Sequence, residues 1–272
     1  MENANEGEWR MANSVKLWIS NLCIMSAVAD YLFVKKIEFQ SCPPIGGATF
    51  SKHMKYILTI AIFLFVANTT HAQRPPFWND IQTFKKQDSI SMPAAGQVLF
   101  VGSSSFTNWK DVQNYFPSIP IINRGFGGSS LPDLLRYKED VIFKYKPKQI
   151  VIYCGENDFA GSDTLSVTTV VKRFTELFGL IRSRYKDIPI AYVSMKPSPS
   201  RQHLMPKFEK ANMAIQQFLK KYKKTVFIDV YHSMLKPDGT PMTDIFLQDN
   251  LHMNAKGYAI WQKRIAPHLL KD

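Results

Sequence analysis

An apolar run ends abruptly in a glycine and three small hydroxyl residues at positions 98–105, which read Val-Leu-Phe-Val-Gly-Ser-Ser-Ser. An apolar, β-branched run of that length predicts a buried strand, and Gly followed by Ser predicts a tight turn from a strand into a helix. Such a turn can present a serine hydroxyl at the carboxyl edge of a sheet, near the backbone N–H groups of a helix start. An ordinary loop with a helix N-cap is the competing interpretation, which this segment alone does not exclude.

Apolar strands alternate with amphipathic helices along residues 96–272. The predicted strands are 98–101, 120–123, 150–153, 188–194 and 226–230, and the predicted helices are 131–143, 165–185, 206–221 and 255–269. Continuous apolar strands separated by helices favour a five-stranded, mainly parallel sheet covered on both faces, which is a three-layer αβα sandwich. Ligands of such sheets bind at the carboxyl ends of the strands.

Ser104 is one of the three hydroxyl residues that follow the first strand. In three later segments, polar or glycine residues likewise lie at or near the end of a strand or in the C-terminal loop. Residues 120–130 run from a strand into the loop Gly-Phe-Gly-Gly-Ser-Ser, residues 149–158 end in Gly-Glu-Asn-Asp, and residues 249–254 read Asp-Asn-Leu-His-Met-Asn. The order serine, glycine, asparagine, Asp-x-x-His resembles that of the SGNH hydrolases, also called GDSL-type esterases and lipases. The resemblance covers residues 97–270 and implies a flavodoxin-like strand order and a carboxylic ester hydrolase.

The resemblance also implies a role for individual residues. Ser104 would be the nucleophile, although Ser103 stands where the family's name motif has Asp. The oxyanion hole would consist of the backbone N–H groups of Ser104 and Gly128 and the side-chain amide of Asn157, which offers two donors. For Asn157 the alternative is a strand-end turn residue. For the glycine loop it is a phosphate-binding loop, but the sequence lacks the Lys-Ser/Thr that such a loop requires.

His252 is the proposed general base, because Asp249 precedes it by three residues and one turn brings carboxylate and imidazole within hydrogen-bond reach. We expect His203, His232 and His268 to lack an acidic residue at this offset. The alternative is an Asp at a helix start beside an incidental His. Acyl transfer of this kind requires no metal or organic cofactor, and the acidic residues are too scattered to predict a metal site.

The loop after the fourth strand, residues 196–201, reads Lys-Pro-Ser-Pro-Ser-Arg. Its two prolines stiffen it. We expect Lys196 and Arg201 to be candidate substrate-binding residues; a rigid surface loop without that role is the alternative.

A secretory signal is predicted at residues 54–72. Met54 and Lys55 precede an apolar core at 57–67, and Thr70-His71-Ala72 matches a cleavage site. Cleavage there would give a secreted or periplasmic protein, whereas retention of residues 57–67 would anchor it in a membrane. We then expect the protein to start at Met54, which makes residues 1–53 a doubtful extension. Residues 73–95 form a lead-in to the hydrolase domain at 96–272.

Composition and charge narrow the function further. The chain is 45% apolar and 21% charged, which is typical of a globular protein, and its formal net charge of +12 comes without a nucleic-acid recognition motif. Nucleic acid is therefore not the predicted partner, and the resemblance implies an acylated small molecule or carbohydrate instead. We expect a secreted serine esterase acting on small acyl, above all acetyl, esters of carbohydrate. The alternatives are a lysophospholipase-type acylhydrolase and a non-catalytic carbohydrate-binding module on the same scaffold.

Overall fold

The apolar runs predicted from the sequence form the strands of a parallel sheet. The computed structural model describes residues 74–162 and 164–271, so the predictions for residues 1–53 and for the signal at 54–72 lie outside the described residues. The strands are β1 (Val98–Gly102), β2 (Ile121–Gly125), β3 (Gln149–Tyr153), β4 (Ile190–Val193) and β5 (Thr225–Ile228). Their order is β2-β1-β3-β4-β5, and every neighbouring pair is parallel, which confirms the predicted fold class.

Side chains of the central strands alternate between two apolar cores. Leu99 and Val101 of β1 face one core, whereas Val98 and Phe100 face the other. Because the pleat sends successive side chains to opposite faces, a strand buried on both faces must be apolar throughout. Residues 98–101 meet that requirement, since each of their side chains is fully buried.

Helices cover both faces of the sheet, as a three-layer sandwich requires. The helices are α1 (Trp78–Ile90), α2 (Ser104–Thr107), α3 (Val112–Tyr115), α4 (Leu131–Arg136), α5 (Glu156–Ala160), α6 (Val167–Arg184), α7 (Met205–Leu219) and α8 (Ala255–Ile265). Helices α1, α4, α6 and α7 pack on the core that contains Leu99, and α2, α3 and α8 pack on the core that contains Phe100. Shorter helical turns of other types span Glu139–Phe143, Pro199–Leu204, His232–Met234 and Ala266–His268.

Two predicted helices are each divided in the structure, and the one predicted at 255–269 is α8 followed by a 3-10 turn at Ala266–His268. The single helix predicted at 131–143 is instead α4 followed by a π-helical turn at Glu139–Phe143, which hydrophobic periodicity does not distinguish from α-helix. The lead-in segment contains α1, whose last turn is held by the buried carboxylate of Asp88, which accepts hydrogen bonds from Arg124 at 2.6 Å and from Tyr145 at 2.7 Å. Burial raises the pKa of Asp88, but these donors and Lys144 outweigh it, so the pKa lies below its ordinary value.

Strands β1, β2 and β3 end at the same level, which brings the loops that follow them together. Gly102 pairs with Gly125 on one side and with Tyr153 on the other. Among residues 74–162 and 164–271, no helix is long and apolar enough to cross a membrane.

Candidate active site

The turn after β1 presents Ser104 at the carboxyl edge of the sheet. Gly102 adopts a φ of +149°, and a Cβ at this position would lie 1.9 Å from the carbonyl oxygen of Tyr153, so only glycine fits. Ser103 and Ser105 are buried at 3% exposure, whereas Ser104, the first residue of α2, is half-buried. Of the three consecutive hydroxyls, that of Ser104 is therefore the one accessible to a substrate.

The glycine-rich loop after β2 lies against Ser104. A Cβ on Gly127 would lie 3.9 Å from the Cβ of Ser104, and the Ser129 hydroxyl donates to the carbonyl of Gly102 at 3.2 Å. Gly128 is exposed and adopts a φ of +81°, in the left-handed region that favours glycine. Within the described residues, no acceptor binds the backbone N–H of Ser104 or Gly128. Both N–H groups are thus available to an oxyanion.

An aromatic side chain from the lead-in segment covers part of this loop. The ring of Phe77 lies 3.6 Å from the position that a Cβ on Gly128 would take, and it packs edge-on against Phe126 with ring centroids 5.4 Å apart. The carbonyl of the preceding Pro76 accepts a hydrogen bond from Tyr137 at 2.6 Å, which fixes the segment. The space beside Gly128 is therefore bounded by an aromatic ring.

Asn157 lies in α5, directly after β3, with its amide between the glycine loop and the loop after β4. The side-chain Nδ2 donates to the carbonyl of Ser129 at 2.9 Å, and Oδ1 accepts from Arg201 at 2.9 Å. One N–H of Nδ2 remains after the bond to Ser129. The predicted oxyanion donor is thus half-buried and held from two sides.

Asp249 and His252 form the predicted pair. Oδ2 of Asp249 lies 2.6 Å from Nδ1 of His252, while Oδ1 accepts from the backbone N–H groups of Leu251 and His252, both at 2.9 Å. Burial raises the pKa of Asp249, but the hydrogen bonds from His252 and Leu251 outweigh it and hold the pKa below its ordinary value. An ionised carboxylate only accepts, so Nδ1 of the imidazole carries a proton and Nε2 is free to take one.

Contacts on both sides of the Asp249–His252 turn hold it at the edge of the sheet that carries Ser104. The Tyr258 hydroxyl of α8 donates to the carbonyl of Ser105 at 2.9 Å, and Ser200 donates to the carbonyl of Asn250 from both its N–H and its hydroxyl. Within the described residues, the Ser104 hydroxyl makes no hydrogen bond to His252. Such bonds are often long before substrate binds, so the arrangement is compatible with a triad that closes on the substrate.

Lys196 lies inside the protein, contrary to the predicted contact with substrate. The residue is 1% exposed, and its ammonium lies 3.1 Å and 3.3 Å from the two carboxylate oxygens of Glu156. Burial lowers the pKa of Lys196, and the charge of Glu156 opposes that effect. Arg201, the other predicted substrate-binding residue, is more open, with its side chain 17% exposed, but its guanidinium also contacts Glu156 and Asn157.

Two features of this edge were not predicted. Glu156, which contacts both basic residues, was missed because its partners lie 40 and 45 residues away along the chain. The expectation that His232 lacks an acidic residue at the offset of three is wrong. Asp229 precedes it by three residues, and its Oδ2 lies 2.7 Å from Nδ1 of His232. That signal was present in the sequence.

The acidic and histidine side chains do not converge on a metal site. Among the described residues, no group of three or more His, Cys, Asp or Glu side chains could hold a metal ion. Asp158, beside Asn157, instead accepts from the N–H of Leu131 at 2.9 Å and from Arg173 at 2.7 Å.

Known proteins resemble this chain in sequence pattern and in fold. A family model for GDSL-like lipases and acylhydrolases matches residues 88–260. No curated protein matches the chain. Among solved structures, a Streptococcus pneumoniae protein described as a candidate platelet activating factor is 20% identical, with a TM-score of 0.63 over 78% of this chain and 99% of its own.

Two further solved structures share the fold. A GDSL-like lipase from Bacteroides thetaiotaomicron is 21% identical, with a TM-score of 0.58 over 69% of this chain and 95% of its own. An acetyl xylan esterase from Geobacillus stearothermophilus is 14% identical, with a TM-score of 0.52 over 65% of this chain and 99% of its own.

Proposed function

The chain belongs to the GDSL-like lipase and acylhydrolase family, and on that premise we propose that it is a serine esterase that removes small acyl groups, above all acetyl, from carbohydrate. The observation that carries the proposal is one sheet edge holding an accessible serine, an Asp–His pair at 2.6 Å and an anchored Asn amide. These are the nucleophile, the oriented base and the oxyanion donor that acyl transfer requires.

Acylation begins when Ser104 Oγ attacks the ester carbonyl carbon and Nε2 of His252 takes its proton. Asp249 keeps Nδ1 protonated and stabilises the imidazolium that forms. The negative charge that develops on the carbonyl oxygen is met by N–H groups of Ser104, Gly128 and Asn157. The tetrahedral intermediate collapses as the C–O bond to the alcohol breaks, and the imidazolium returns its proton to the departing alcohol.

Deacylation repeats the sequence with water as the nucleophile. His252 takes a proton from water, which attacks the acyl-Ser104 carbonyl through the same oxyanion site. Collapse of the second intermediate releases the carboxylic acid and returns the proton to Ser104. Over the full cycle one ester and one water become one alcohol and one carboxylic acid, and Ser104 and His252 return to their starting protonation states.

The preference for a small acyl group is supported by the ring over the oxyanion loop. The Phe77 ring occupies space next to Gly128, which reduces the room for an acyl chain beside the oxyanion loop. The loops between the four motif blocks include no apolar segment that could serve as a lid. One protein with the same fold is an acetyl xylan esterase.

Export belongs to the same proposal. Residues 54–72 have the basic start, apolar core and small-residue end of a cleavable signal, which would release a mature chain that begins at Gln73. An extracellular location fits polymeric carbohydrate as the substrate and disfavours intracellular acyl-CoA. N-terminal sequencing of the native protein should give Gln73 as the first residue. A first residue upstream of Met54 would contradict the proposed signal at residues 54–72.

The test is a series of p-nitrophenyl esters from acetate to laurate, run beside acetylated xylooligosaccharides and a lysophospholipid. We expect kcat/KM to fall as the acyl chain lengthens, and Ser104→Ala to lose on the order of 10³-fold or more in kcat without a change in thermal stability. Ser103→Ala is the matched control, since its hydroxyl is buried, and should stay within about tenfold of the parent. A fluorophosphonate adduct on Ser103 or Ser105 would overturn the nucleophile, and faster turnover of laurate or lysophospholipid would overturn the acyl preference.

A further inference from the structure

A buried ionic cluster lies directly behind Asn157. Oε1 of Glu156 accepts from the Tyr153 hydroxyl at 2.6 Å and from the backbone N–H of Lys196 at 3.0 Å, and Oε2 accepts from the Lys196 ammonium at 3.1 Å and from Arg201 at 3.3 Å. Tyr153, Glu156 and Lys196 are 1%, 4% and 1% exposed. Charges removed from water to this extent are tolerated only when they are paired and hydrogen-bonded, which each of them is.

Arg201 connects this cluster to the oxyanion site. One terminal nitrogen of its guanidinium donates to Glu156, and the other donates to Oδ1 of Asn157 at 2.9 Å. A planar guanidinium bound at two points has little freedom, so its second nitrogen stays aimed at the amide.

The partners of Asn157 determine which way its amide faces. Arg201 can only donate, so the atom that faces it must be the acceptor Oδ1. The carbonyl of Ser129 can only accept, so the atom that faces it must be Nδ2. With both ends assigned, the second N–H of Nδ2 is left for the substrate oxygen, and a flipped amide would lose both hydrogen bonds.

We infer that Arg201 is a positioning residue, which holds the Asn157 amide in the one orientation that directs an N–H at the oxyanion, while Glu156, itself held by Lys196, anchors the guanidinium. The inference rests on the proposed esterase function and gives Arg201 a role other than substrate binding. Electrostatics support it. Burial raises the pKa of Glu156, but Lys196, Arg201 and the Tyr153 hydrogen bond outweigh it, so its pKa lies below the ordinary value and the anion persists at neutral pH.

A matched control exists in the same helix. Asp158, the residue after Asn157, is 4% exposed and pairs with Arg173 at 2.7 Å. Arg173 therefore also neutralises a buried carboxylate of α5, but among the described residues its guanidinium has no contact with Asn157. Arg173→Ala reproduces the loss of a charge partner without the loss of the amide's orientation.

The experiment is a double-mutant cycle of Arg201→Ala and Asn157→Ala, read by kcat and KM on p-nitrophenyl acetate, with thermal unfolding of every variant. Asn157→Ala should lower kcat by about 10²- to 10³-fold. Arg201→Ala should lower kcat by at least about tenfold with KM within about twofold of the parent, and should add less than about twofold when Asn157 is already Ala. Arg201→Lys, which retains the charge but has a single donor nitrogen, should recover part of the loss, and Arg173→Ala should keep kcat within about twofold even if it lowers Tm.

Each contrary result has a distinct meaning. An Arg201→Ala variant that raises KM at unchanged kcat would overturn the inference, since Arg201 would then bind substrate. Equal losses from Arg201→Ala in both backgrounds would also overturn it, since Arg201 would act independently of Asn157. A parent protein that hydrolyses no ester, or one unaffected by Ser104→Ala, would instead overturn the proposed function on which the inference rests.

Discussion

Two turns of this molecule carry the same four-residue pattern and nearly the same hydrogen bonds. In Asp249–His252 the carboxylate and imidazole lie 2.6 Å apart, and in Asp229–His232 they lie 2.7 Å apart. In each turn the other carboxylate oxygen accepts the backbone N–H of the histidine, at 2.9 Å and 3.2 Å. Locally, either could serve as the base of a hydrolase.

Their surroundings differ. The His232 side chain is 66% exposed and follows β5, the edge strand, three strands away from β1. The His252 side chain is 27% exposed and precedes α8, whose Tyr258 is hydrogen-bonded to the residue after Ser104. An Asp-x-x-His turn thus forms from local sequence, whereas its capacity for catalysis depends on the strand beside which the fold places it.

The largest expected difference between the two turns follows from removing each imidazole. His252→Ala should lower kcat/KM on p-nitrophenyl acetate by on the order of 10³-fold or more, because it removes the proposed general base for Ser104. His232→Ala should stay within about twofold of the parent. A large loss in His232→Ala with an active His252→Ala would reverse the assignment of the two turns.

A smaller difference is expected from the carboxylates. Asp249→Asn should lower kcat by roughly 10- to 10⁴-fold, since in a serine protease removing the acid costs about 100-fold less than removing the base. Asp229→Asn should leave kcat unchanged within error, and both variants should be compared under saturating substrate. If the two substitutions cost the same, the carboxylate of the active turn would have no catalytic share and the site would rely on a Ser–His dyad.

The smallest expected effect is a displacement of the pH profile. The low pKa of Asp249 keeps its carboxylate ionised throughout the neutral range, so the rising limb of kcat/KM reports the imidazole. Asp249→Asn removes the negative charge that stabilises the imidazolium, so the limb should move to lower pH. The limb should not move in Asp229→Asn. A shift to higher pH in Asp249→Asn would contradict the proposed pairing.

The sequence was sufficient for the parts of this molecule that depend on local pattern. Each predicted strand is present within two residues of its predicted start, because an unbroken apolar run can be satisfied only by burial on both faces. The Asp249–His252 contact followed from an offset of three. The same offset of three predicts the Asp229–His232 contact, so local sequence is sufficient for both turns.

Other parts depend on residues that are distant in sequence. The end of α1 is fixed by Asp88 through Arg124, and the orientation of Asn157 is fixed by Arg201, 44 residues further along. A lysine in a Pro-rich loop is usually solvated, and only the tertiary structure shows that Lys196 is enclosed with Glu156. Buried ionic contacts of this kind leave no periodicity in the sequence.

If Phe77 limits the acyl group as we propose, catalysis and acyl selectivity depend on different parts of the chain. The region that matches the family model starts at residue 88, after Phe77, yet it contains Ser104, Asn157 and His252. A protein trimmed to residues 88–260 would keep every reacting group but lose the ring that lies over Gly128. Changes in the few residues ahead of α1 would then alter which esters are accepted while the catalytic groups stay constant. A recombinant protein that starts at residue 88 would lack Phe77 and would differ from the longer chain in ester preference.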